Sequence, residues 1–181
     1  MSEFRDLQVH PNFRPRAVTS VQVALERLGP DRLWVRYMIH APLDDLAIPG
    51  PSDPIRADDL WKTTCFELFL RDPEEDGYTE FNFAPSGQWA AYRFSSYRNG
   101  QSPLLMPELP RIELTAADDQ LDAEVVIETA GIEGSQLSLT TIVEERDGTK
   151  SYWALSHPPD GPPDFHHPAC FTLELPPPSG A

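Results

Sequence analysis

The sequence predicts an all-β fold, a β-sandwich or barrel of about ten short strands with little helix. Three observations carry this. Apolar residues alternate with period two in segment after segment, and Pro, Gly and Asp turns separate the segments. Proline, at 20 of 181 residues, is about twice its average share and opposes long helices. Strands interleaved with helices, which an α/β fold requires, are missing. The whole chain, 1–181, reads as one domain without internal repeats, with 176–181 as a frayed tail.

In the first half, Val18 to Leu28 is ambiguous, because Ser20 could cap a helix ending at Gly29. The alternation of Val21, Val23 and Leu25 favours a strand. RLWVRYMIH (32–40) places Leu33, Val35, Tyr37 and Ile39 on one face and Trp34, Arg36 and Met38 on the other. TCFELFLR (64–71) sets Phe66, Leu68 and Leu70 against Cys65, Glu67 and Phe69. YTEFNF (78–83), the turn Pro85-Ser86-Gly87 and a strand over 88–95 read as a hairpin.

In the second half, strand candidates begin at Arg111, Gln120, Gln136, Lys150 and Cys170, with Asp147-Gly148 as a hairpin turn. Pro42 to Asp59 reads as a loop wrapping an edge or end of the sheets. His157 to Ala169, with five prolines, cannot pair regularly.

Composition narrows the partners. A formal charge of −15 with only two lysines excludes the clustered cations that nucleic acid or an anionic membrane needs. No stretch approaches the roughly 18 apolar residues of a spanning helix, and the N-terminus lacks the apolar run of a signal peptide. Cytoplasm is the expectation. Cys65 and Cys170 read as buried thiols, although spacing alone does not exclude a bridge.

Trp61 stands at the junction of the acidic loop and a strand, and Glu67 lies within an otherwise apolar strand, where a carboxylate needs partners. Arg93, on the strand face of Trp89, is a candidate partner. Aromatic platforms with charged hydrogen-bonding groups suit a sugar, whose C–H faces stack on indole while its hydroxyls bond to carboxylate and guanidinium. The alternative is that Trp61 and Trp153 are core residues and Glu67–Arg93 a structural ion pair.

His157, Asp164, His166 and His167 are metal-ligand types on one loop, but their spacing matches no zinc motif. DPEEDG (72–77) begins like a calcium loop, yet Phe83 stands where the bidentate Glu belongs. Ser86 resembles no nucleophile elbow, and Cys65 has no evident base. Glu67 and Glu80 could flank a glycosidic bond, with nothing to distinguish them from structural carboxylates. Catalysis is therefore not the expectation.

The block LWKTTCFELFL followed by YTEFNFAPSGQWAAYRF resembles the first half of a DOMON-like domain related to carbohydrate-binding module family 9. AEVVIE (123–128) and the stretch from Lys150 to Leu175 resemble later parts of such domains. The resemblance implies a β-sandwich of jelly-roll or immunoglobulin-like form, in which two tryptophans clamp a terminal sugar. Carried over, Trp61 and Trp153 would be the walls, Glu67 the acidic group and Arg93 the basic one. Cys65 stands where the family often has Asp, so calcium is not inferred, and no cofactor is expected. The resemblance thus implies a non-catalytic carbohydrate-binding domain. Some DOMON domains bind haem, which makes Met38, Met106 and His157 alternative ligands, and a metal-dependent enzyme using the 157–167 loop is a third reading.

Overall fold

Thirteen strands form in the computed structural model, which describes residues 3–130 and 134–175. They make two antiparallel sheets stacked as a sandwich. In chain order the strands are β1 (Arg5–Asp6), β2 (Gln8–Val9), β3 (Ser20–Gly29), β4 (Arg32–His40), β5 (Cys65–Arg71), β6 (Tyr78–Phe83) and β7 (Trp89–Phe94). They continue as β8 (Ser102–Pro103), β9 (Arg111–Ala117), β10 (Gln120–Glu128), β11 (Gln136–Glu144), β12 (Lys150–Ala154) and β13 (Leu173–Glu174). One sheet has the order β1-β3-β4-β10-β9. The other runs β2-β12-β11-β5-β6-β7-β8, with β13 also paired to β11.

Alternation decides what each face buries. From the first sheet, Val23, Leu33, Val35, Tyr37, Ile39, Val125 and Ile127 point inward. They meet Phe66, Leu68, Phe81, Phe83, Leu139 and Trp153 of the second. Tyr37 Oη, at the centre, donates to the Glu67 carbonyl at 2.7 Å, a buried hydrogen bond that joins the two sheets across their core. The outward face of the first sheet is polar: Arg36 pairs with Asp122 at 3.0 Å, and Trp34 Nε1 donates to Glu124 at 3.1 Å.

The ambiguous segment resolves as the strand β3, because a period-two apolar face fits a sheet and not a helix. Both expected turns are present. Gly87 (φ 93°) closes the β6–β7 hairpin and Gly148 (φ 87°) the β11–β12 hairpin, in a backbone region that favours glycine. One expectation fails in part. The segment beginning at Cys170 is not a full strand: Pro168–Cys170 forms a 3-10 turn, capped by the His167 side chain accepting from Ala169 N–H, and only Leu173–Glu174 pairs. The tail 176–181 lies outside the described residues. Residues 72–77 form the β5–β6 turn, where Asp72 Oδ1 accepts from Glu74 N–H at 2.9 Å.

Trp153 is 5% exposed, and its Nε1 donates to Ser151 Oγ at 2.8 Å. Trp153→Ala should lower the unfolding free energy by about 3–5 kcal/mol in urea denaturation. A loss below about 1 kcal/mol would contradict its place in the core.

Candidate functional site

The second sheet is buried on both faces. Its outward side carries a second apolar cluster, in which Phe69, Tyr78, Tyr92, Phe94 and Ile142 pack under Phe165 and Phe171. Those two covering residues come from the proline-rich segment after β12, which lies across the sheet instead of extending it. A cavity of about 870 Å³ opens beside this cluster, within the usual size of small-ligand sites.

Glu67 and Glu80 line the cavity and are 2% and 5% exposed. They come from adjacent strands: Glu67 faces Asn82 across the β5–β6 ladder, and Glu80 faces Phe69, so the two carboxyls are diagonal neighbours on one face. Thr140 Oγ1 donates to Glu67 Oε2 at 2.9 Å, and Asn82 Nδ2 donates to Glu80 Oε1 at 2.9 Å. Burial, and then the nearby Glu80, push Glu67 well above the ordinary carboxylate range. Burial also raises Glu80, from 4.5 to about 7, against the opposing Asn82 hydrogen bond. Asn82 Oδ1 is itself buried without a donor among the described residues.

His166 does not compensate these carboxyls. Its Nε2 stands 3.8 Å from Glu80 Oε2, but burial, helped by Arg98, lowers the imidazole to about 4, so it is neutral near pH 7. Tyr78 Oη accepts from Arg98 N–H at 3.2 Å and lies 2.7 Å from His166 Nδ1.

The rim is aromatic and charged. Asp59 adopts a left-handed backbone (φ 63°) that starts the 3-10 turn Leu60–Lys62. Leu60 packs against the second cluster, while Trp61, 51% exposed, lines the cavity. Arg56 lies over the Tyr92 ring at 5.0 Å, and Tyr92 Oη donates to Asp58 at 2.5 Å. Phe13 and Tyr152, edge to face at 5.0 Å, line another part of the cavity. Arg98 and Asp164, 2.7 Å apart, tie the covering segment to the loop after β7.

Of the residues singled out in the sequence, the structure brings Trp61, Glu67, Glu80 and His166 to this cavity. It does not bring Trp153 or Arg93. Trp153 points into the inter-sheet core, and on β12 the residue on the cavity side is its neighbour Tyr152. Arg93 follows Trp89 and Ala91 on the inward side of β7, at an exposed end, and forms no ion pair with Glu67. Glu67's charged neighbour is another carboxyl. Arg56, Tyr92, Tyr152 and Arg98 were not singled out: Arg56 lies in a loop without periodicity, and both faces of β12 carry an aromatic.

The histidine loop does not converge. His157 Nε2 contacts the Gln8 carbonyl at 2.8 Å, His167 caps its own turn, Asp164 binds Arg98, and His166 contacts Tyr78. Among the described residues no group of three or more His, Cys, Asp or Glu is placed to hold a metal. The haem alternatives are separated too. Met38 lies on the outward side of the first sheet, Met106 packs against the inter-sheet core, and His157 sits beside His10. Cys65 and Cys170 are both free and buried.

No protein-family model matches the chain, and no curated protein matches it. Among solved structures, it is similar to a candidate carbohydrate-binding protein from Bacteroides uniformis, with TM-score 0.68 and 15% identity over 94% of this chain and 84% of that one. It is also similar to a carbohydrate-binding module of family 9 from Caldicellulosiruptor kristjanssonii in complex with cellotriose, with TM-score 0.52 and 13% identity over 86% and 73% of the two chains. The β-sandwich architecture is shared with both.

The raised Glu80 sets a pH dependence. A carboxyl whose pKa rises on folding stabilises the fold below its unfolded value and loses that contribution as pH climbs through its folded value. Between pH 4.5 and about 7 the wild type should therefore lose stability relative to Glu80→Gln, by roughly 3 kcal/mol in all. Parallel urea denaturation across that range checks this, and parallel curves for the two proteins would contradict it.

Proposed function

We propose that this protein is a non-catalytic carbohydrate-binding domain that holds a mono- or oligosaccharide end in the cavity on the outward face of the second sheet. The observation that carries the reading is the pairing of an exposed Trp61 at the rim with buried polar groups on the floor. A sugar needs an apolar ring face to stack on and fixed partners for its hydroxyls. Trp61 offers the first. The carboxyls of Glu67 and Glu80 and the guanidinium of Arg56 offer the second, and Tyr152 takes the role of second wall expected of Trp153. The two similar structures, one named as a candidate carbohydrate-binding protein and one bound to cellotriose, support this reading. The relation to family 9 modules and DOMON-like domains is part of the same proposal.

Calorimetric titration with glucose, cellotriose and related sugars tests it. Trp61→Ala should weaken the tightest of these at least tenfold, about 1.4 kcal/mol or more, with unfolding unchanged within about 0.5 kcal/mol. Binding that survives Trp61→Ala intact, or a panel in which no sugar binds, would overturn the reading.

A further inference from the structure

The charges around the cavity do not balance. Arg56 is matched by Asp58 at 3.7 Å, Arg98 by Asp164 at 2.7 Å, and Asp59 by Lys62 at 2.7 Å. Glu67 and Glu80 have no ion pair of their own among the described residues: Arg98 acts on Glu80 only at longer range, and the imidazole nearest them is neutral near pH 7. Each carboxyl has one oxygen held by a neutral donor, Thr140 or Asn82. The second oxygen of each receives no hydrogen bond among the described residues. Both side chains are more than nine-tenths buried and line the cavity.

Two acidic groups side by side, each with a free oxygen on one cavity, suit a donor-rich cation better than a hydroxyl. A single hydroxyl gives one proton, whereas one ammonium gives three and can serve both oxygens at once. The ammonium also supplies the opposite charge that a buried carboxylate pair lacks. Tyr92, Phe94 and Phe165 around the floor add ring faces that a cation tolerates.

We propose that the sugar this cavity takes carries a protonated amino group, a hexosamine with a free amine, seated between Glu67 and Glu80. This rests on the carbohydrate-binding reading above and specifies the ligand class of the same site. Acetylation of the amine removes that charge, so the free amine is the form recognised. Across the rim the ring stacks on Trp61.

Calorimetry on the full chain at pH 7 with glucosamine, N-acetylglucosamine and glucose tests the inference. Glucosamine should bind at least tenfold more tightly than either of the others. In Glu80→Gln, or in Glu67→Gln if the first variant folds poorly, that preference should fall below threefold. Glucosamine binding no more tightly than glucose would overturn the inference while leaving the carbohydrate reading standing. Absence of binding by all three sugars and by cellotriose would overturn both, and a preference that persists undiminished in both variants would overturn the placement between the carboxyls.

Discussion

The structure depends on a sheet that is buried on both of its faces. Strands β5, β6 and β7 supply one set of side chains to the core against the first sheet and the alternate set to an outward cluster under the segment after β12. Because successive side chains point to opposite faces, a carboxyl at Glu67 or Glu80 cannot be in the core when Phe66, Leu68 and Phe81 are. The hydrogen bond from Tyr37 to the Glu67 carbonyl fixes this register from below: it holds the backbone at the site's floor to the centre of the opposite sheet. Core packing and site geometry are therefore set by the same alternation.

Covering the outward face creates the chemical problem that the site exploits. Phe165, Phe171 and the Arg98–Asp164 tie close over the aromatic cluster, and the two carboxyls lose water. Neutral partners, Thr140 and Asn82, satisfy one oxygen each but supply no charge. The result is a pair of acidic groups whose affinity for protons burial raises, and which a cation or hydrogen-bond donor would stabilise. Such a pair costs stability, and on the proposed function a polar ligand offsets part of that cost.

Much of the fold was legible in the sequence because alternation is a local signal. The runs 32–40, 64–71, 78–83 and 120–128 all form strands, and the Gly87 and Gly148 turns close hairpins. What escaped was short or non-local. Two-residue strands such as β1, β2 and β8 have no period to detect, and the segment from Cys170 looked like a strand although Pro168 starts a turn there. At the site, Trp61 and Glu67 stood out as residues out of keeping with their surroundings. The opposite wall did not, since Tyr152 and Trp153 are neighbours with equal claims until the register of β12 against β11 sends one inward and the other outward. Arg93 misled for a similar reason: its strand carries apolar residues on both faces, and parity alone did not say which face held the cavity.

In the proposed function, ligand enters on the outward face of the second sheet, against Trp61 and the two carboxyls, and nowhere near Trp153 or the polar face of the first sheet. Amide and indole chemical-shift mapping during a glucosamine or cellotriose titration tests this directly. Shifts are expected at the Trp61 indole and at the amides of residues 56–61, 67, 80, 92 and 152, with the outward residues Trp34, Arg36 and Met38 unmoved. Shifts centred on the first sheet, or an unperturbed Trp61 indole at saturation, would contradict it.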